Sequence, residues 1–114
     1  MDTEQRPSVA KKLLTERRSS IRFPSNLQAS CQLLDDETVW PATVHDISTK
    51  GLSLKVGCMF PPDKVLRIRF QSGSKYYIAE AIVIHVRPER TNVWSHGCRF
   101  STEIDGKELV ALLG

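Results

Sequence analysis

The sequence is short of everything that a disulfide framework, a metal cluster or a membrane anchor requires. Its three cysteines, Cys31, Cys58 and Cys98, are widely spaced and odd in number. They form no CxxC pair and no Cys/His cluster, which argues against structural zinc. Such unpatterned cysteines suit a reducing compartment, each acting as a small buried hydrophobe. No apolar run approaches the ~18 residues of a membrane span. The leading MDTEQRPSVAKK carries acids and lacks the apolar stretch of a secretory signal. Charge of one sign is also scarce: 16 Lys+Arg against 13 Asp+Glu leave +3 at neutral pH, too little alone to imply a long nucleic-acid partner. No nucleophile–base pair, carboxylate pair or metal triad stands out, so an enzyme is not expected.

What is present is a patterned domain of ordinary globular composition, 40% hydrophobic and 25% charged over 114 residues. Residues 1–20 are polar and charged, with Val9, Ala10, Leu13 and Leu14 as the apolar anchors. Ser8 is placed to cap a short helix running to about Glu16, marginal without a surface to dock on. From Asn26 the pattern changes to period two. Alternation predicts strands over 26–33, 39–47, 52–56, 65–70, 76–86 and 93–100. Pro41 hints at an edge or a bulge in the second. Turn chemistry separates them at Asp35-Asp36, Pro61-Pro62-Asp63, Ser72-Gly73-Ser74 and Pro88 to Asn92. Leu109, Leu112 and Leu113 have helical spacing, predicting a short C-terminal helix. The expected class is all-β, a six-stranded antiparallel barrel, since closure removes exposed edges. The chain is expected to divide into a flexible N-terminal segment, 1–20, and a barrel domain with its helix, 21–114.

Two stretches carry candidate chemistry. ERRSSIRFP, 16–24, packs three arginines into six residues. Arg18 and Arg22 are four apart, with Arg17 directly before the pair. A guanidinium is a planar, permanently charged fork that bonds phosphate, reads guanine O6 and N7, or stacks on a base. The plain alternative is a solvated basic run partly paired with Glu16. DISTKG, 46–51, falls between the second and third strands. Asp46 offers two acceptor oxygens that match the N1–H and N2–H donors of guanine, and Ser48 adds a hydroxyl. Gly51 permits a positive φ or a close approach of ligand to backbone. The alternative is a tight turn in which Asp46 and Ser48 bond local backbone and Gly51 is the left-handed residue. His45 is expected to point to the opposite face from Asp46, and Trp40 and Trp94 to pack on the barrel. His85 and His96 form no cluster with other ligating residues. Arg67 and Arg69 are expected on an exposed strand face.

RRSSIR followed by DISTKG resembles the RxxxR and (D/N)xSxxG motifs of PilZ domains, and HGCRF, 96–100, is similar to the G-x-x-F ending of that family's last core strand. The resemblance covers about residues 16–110. It implies a PilZ-like split barrel that binds cyclic di-GMP. Carried over, Arg18 and Arg22 contact guanine and phosphate, Asp46 and Ser48 bond guanine, and Gly51 leaves room beneath it. Arg17 is similar to the basic residue preceding RxxxR in relatives that take up an intercalated ligand dimer. Arg99 lies near the family's ligand-proximal strand. Ligand is expected to order the N-terminal segment and present a new surface to a protein effector in a bacterial cytoplasm, with no cofactor, DNA or membrane insertion. Two alternatives are a PilZ-type interaction module whose nucleotide site is unused and an oligonucleotide-binding barrel. The latter wants aromatics interleaved with basic residues along one face, and this chain has two Trp, two Tyr and four Phe.

Overall fold

In the computed structural model, residues 21–113 are described. Arg17, Arg18 and the short helix expected from Ser8 lie outside them. The described chain forms β1 (Phe23–Leu33), β2 (Trp40–Ile47), β3 (Gly51–Val56), β4 (Val65–Ser72), β5 (Lys75–Arg90), β6 (Val93–Phe100) and helix α1 (Gly106–Leu113). All neighbouring strands are antiparallel and close in the order β1-β2-β3-β6-β5-β4. Closure follows from β1 pairing with both β2 and β4. The third strand pairs with the sixth, not the fourth.

Alternation along each strand builds the core. Val44, Leu52, Leu54, Leu66, Ile68, Phe70, Ala81 and Val83 are fully buried inside the barrel. The intervening Arg67 and Arg69 are exposed, and Arg69 lies over the Tyr76 ring at 4.0 Å. Trp40 packs against the core cluster as expected. Cys31 and Cys98 are buried, while Cys58 is only half-buried. Burial pushes the Cys31 and Cys98 thiols up to about 12, so both stay protonated and inert.

Two boundaries differ from the periodic expectation. The first strand starts at Phe23, ahead of Pro24, rather than at Asn26. Pro24 is tolerated because β4 pairs with β1 only from Ala29 onward, so this stretch is an edge. A register shift between Pro24 and Leu27 then restores the pattern. Pro88 is not in a turn. It lies within β5 opposite Trp94, at a second irregularity between Pro88 and Arg90. The turn shrinks to Thr91-Asn92, where Asn92 takes φ 60°, a conformation asparagine tolerates. Gly73 (φ 62°) and Asp63 (φ 74°) occupy the turns predicted for them. At the C-terminus, Asp105 accepts a bond from Lys107 N–H (2.9 Å) and Glu108 accepts one from Asp105 N–H (3.3 Å). These reciprocal bonds start α1, whose Leu109 and Leu112 are buried.

The crossing from β3 to β4 is held by a buried histidine. Phe60 is buried in this loop, and its N–H donates to His96 Nε2 at 3.0 Å. The acceptor role of Nε2 puts the proton on Nδ1, which is buried without a hydrogen-bond partner among the described residues. Burial pushes the His96 pKa below the ordinary histidine value, against a weaker opposing pull from the backbone of Leu54 and Trp94. A lowered folded-state pKa means that the unfolded chain takes up the proton first on acidification. Stability from this group is therefore whole above about pH 6.5 and declines as pH falls from there, by at most ~1.4 kcal/mol per pH unit. Urea midpoints between pH 7.5 and 5.5 are expected to fall for the native protein and to stay flatter for His96→Gln. Equal pH dependence in the two would remove His96 as the cause.

Candidate ligand-binding site

The start of β1 and the end of β2 are adjacent strands, with Phe23 opposite Ile47 and Pro24 opposite Asp46. That register brings the two sequence motifs together. Arg22 Nη1 donates to Asp46 Oδ1 at 2.7 Å, with the side chains 49% and 26% exposed. Strict alternation would have put His45 and Asp46 on opposite faces. Instead β2 is bulged between Val44 and Asp46. Val44 and Ile47 are buried, whereas His45 is exposed and Asp46 half-buried between them. The extra residue turns Asp46 out toward Arg22.

Ser48 and Gly51 build the corner that follows. Ser48 is buried, its backbone N–H donates to Gly51 O (2.8 Å), and its Oγ accepts from the N–H groups of Lys50 (3.1 Å) and Gly51 (3.2 Å). Gly51 is not left-handed; the described glycine with positive φ is Gly73. Gly51 opens β3 opposite Arg99, where a Cβ would lie 2.2 Å from the Cys98 carbonyl oxygen. The residue is required for close passage of two backbones, not for a turn conformation.

Beside this corner is an open cavity of about 320 Å³, lined by Arg22, Lys50, Gly51, Ile84, His85, Gly97, Cys98 and Arg99. Its size falls within the range for small-molecule sites. Three permanent cations border it, a field suited to phosphate. Arg99, placed here by sequence resemblance, is in the wall. His85 is a wall residue that sequence alone missed. A register shift between Val83 and His85 puts both Ile84 and His85 on the exposed face. A Cβ on Gly97, opposite His85, would lie 2.3 Å from the imidazole, so only glycine lets the ring lie flat against β6. The HGCRF stretch held the signal, in a glycine without a turn, but the bulge that aims His85 at it left none. Arg17 and Arg18 lie outside the described residues. No group of three or more His, Cys, Asp or Glu side chains that could hold a metal occurs among the described residues, and no described helix is long and apolar enough to cross a membrane.

The recess is thus cationic, has two glycines in its wall and lies on the outside of a closed six-stranded antiparallel barrel. The chain belongs to the PilZ domain family, whose profile matches residues 16–114. No curated protein matches it. Solved structures share the fold. The inhibitor of motility MotI/DgrA of Bacillus subtilis aligns with TM-score 0.65 and 20% identity over 86% of this chain. This chain spans about half of that protein, 48% of its length. The PilZ domain of Escherichia coli YcgR, solved with c-di-GMP, aligns with TM-score 0.65 and 14% identity, covering 86% of this chain and 89% of that one. The PilZ domain of CeSA from a cellulose-synthesizing bacterium aligns with TM-score 0.58 and 15% identity, covering 82% and 91%.

Proposed function

We propose that this chain is a receptor domain for cyclic di-GMP that passes the signal to a protein partner. The observation that carries this is the ion pair between Arg22 and Asp46 at 2.7 Å, set at the edge of the cationic recess. Asp46 supplies the acceptors for a guanine Watson–Crick edge. Arg22, Lys50 and Arg99 supply positive charge for phosphates, and the His85 ring supplies a flat surface for a base. Ser48 contributes chiefly by holding the corner, since its hydroxyl already bonds the local backbone. Family membership and the c-di-GMP-bound relative from E. coli support the ligand class.

The ion pair holds both groups in place before ligand arrives. An exposed pair of this kind is worth about 0–1 kcal/mol, so exchanging it for charge-assisted bonds to guanine and phosphate costs little. Arg17 and Arg18 approach the ligand from the preceding segment, which orders at a cost of about 1–2 kcal/mol per residue fixed. The ordered segment is the output surface. Arg17 favours uptake of two stacked ligands, and the site of action is the bacterial cytoplasm.

Isothermal calorimetry of the full 114-residue chain with cyclic di-GMP is the test. Saturable binding with two ligands per chain is expected, with GTP far weaker. One ligand per chain would remove the stacked pair but keep the receptor. No heat of binding at all would leave an interaction module with an unused nucleotide site.

A further inference from the structure

The outer face of β5 is unusually apolar for an exposed strand. Tyr76, Ile78, Glu80, Ile82 and Ile84 share one parity, and the opposite parity, with Ala81 and Val83, faces the core. Tyr76, Ile78 and Ile84 are 57%, 50% and 46% exposed. Single exposed aliphatic residues are ordinary, but a row of them is the mark of a contact surface. The row has distinct ends. At one, Ile84 shares a recess with Arg22, next to the first described residue, Ile21. At the other, Ile78 borders a second recess of about 340 Å³ that also includes Glu80, Glu103 and Glu108. The face thus runs from the point of chain entry to an acidic pocket.

The leading segment has the complementary chemistry. Wound as the helix its sequence predicts, residues 8–16 put Val9, Ala10, Leu13 and Leu14 on one side, with Lys12 at the Val9 edge and Lys11 beyond Leu14 at the other. Val9 and Leu13 are then about 6 Å apart along the axis. Alternate residues of a strand are spaced about 6.8 Å apart, so one such pair can sit against two successive outward side chains of β5. Residues 78 to 84 span roughly 20 Å of strand. From Glu16, the end of that helix, to Arg22 the chain reaches about 20 Å when extended, enough to carry the helix from Arg22 toward the acidic end. We propose that residues 8–16 dock on the outer face of β5, Val9 and Leu13 against its isoleucines and Lys12 toward the Glu80, Glu103 and Glu108 pocket. The segment thereby has a seat on the barrel in the absence of nucleotide. The docking goes beyond the receptor function and does not depend on it.

Limited trypsin cleavage after Lys11 and Lys12, followed by mass spectrometry without nucleotide, tests the docking in the full chain. Leu13→Ser and Ile78→Ser are each expected to speed cleavage by about tenfold, as loss of one aliphatic anchor predicts. The rate in the native chain is expected not to vary with protein concentration. Ile78 is half exposed, and an unchanged thermal midpoint confirms that each variant is folded. Equal rates in all three proteins would overturn the docking. A change in Leu13→Ser alone would exclude β5 as the seat. Protection that grows with protein concentration would move the contact to a second copy of the chain and overturn the intramolecular form.

Discussion

Replacing Arg22 with alanine is expected to weaken cyclic di-GMP binding by about a hundredfold or more while leaving the barrel as stable as before. The two halves of this expectation have different causes. In the ligand-free protein Arg22 is half exposed and pairs with Asp46 across the β1–β2 edge. Such a pair contributes about 0–1 kcal/mol, so the thermal midpoint should barely move. In the complex, the proposed contact is a charge-assisted bond to phosphate or guanine, worth about 1.5–3 kcal/mol, and alanine also leaves Asp46 without its pre-positioning partner. A hundredfold loss corresponds to about 2.7 kcal/mol. Calorimetry and a melting curve on the same preparation separate the two effects. Native affinity in Arg22→Ala would exclude this arginine from the site. Loss of affinity together with a collapsed midpoint would instead make Arg22 a structural residue.

Gly51→Val should have the opposite profile, a loss of the fold itself. A Cβ at this position would sit 2.2 Å from the Cys98 carbonyl oxygen and 3.2 Å from the Arg99 Cα. Both are backbone atoms of β6, held by the β3–β6 ladder, so no rotamer change can relieve the overlap. The strands must separate where Ser48 and Gly51 close the corner. Overpacking of this kind costs about 3 kcal/mol or more, a large part of the stability of a small domain. Urea denaturation is expected to show a strongly lowered midpoint or no cooperative transition. Gly97 offers the contrast. Its neighbour is the His85 ring, a side chain that can swing away, so Gly97→Ala should keep the fold. A midpoint for Gly51→Val within experimental error of the native one would show that β6 yields at this point.

Much of the fold was legible in the chain because a half-buried strand writes its burial into every second residue. The sixth strand matches its predicted limits, and the third and fourth differ only by one or two residues at one end. The leucines of α1 and the turns at Asp63 and Gly73 were equally plain. The misjudged boundaries, at Pro24 and Pro88, share one cause. Proline excludes a strand residue only where its N–H would be needed, and that depends on which neighbour pairs there. The same holds for the site. Arg22, Asp46, Ser48 and Gly51 could be singled out as chemistry, but the left-handed conformation offered for Gly51 does not occur, and the clash that requires glycine comes from a strand nearly fifty residues away.

By itself, then, the sequence determined the all-β class, the alternation of inward and outward residues, and an arginine stretch followed by an acid–hydroxyl–glycine corner. Those are local properties, set by residue type and period. Only the tertiary structure decided that β3 lies beside β6, that Arg22 meets Asp46, and that bulges in β2 and β5 turn Asp46 and His85 outward. Register and long-range pairing decide such matters. They arise from the joint packing of all six strands around one core, and no single stretch of chain encodes them.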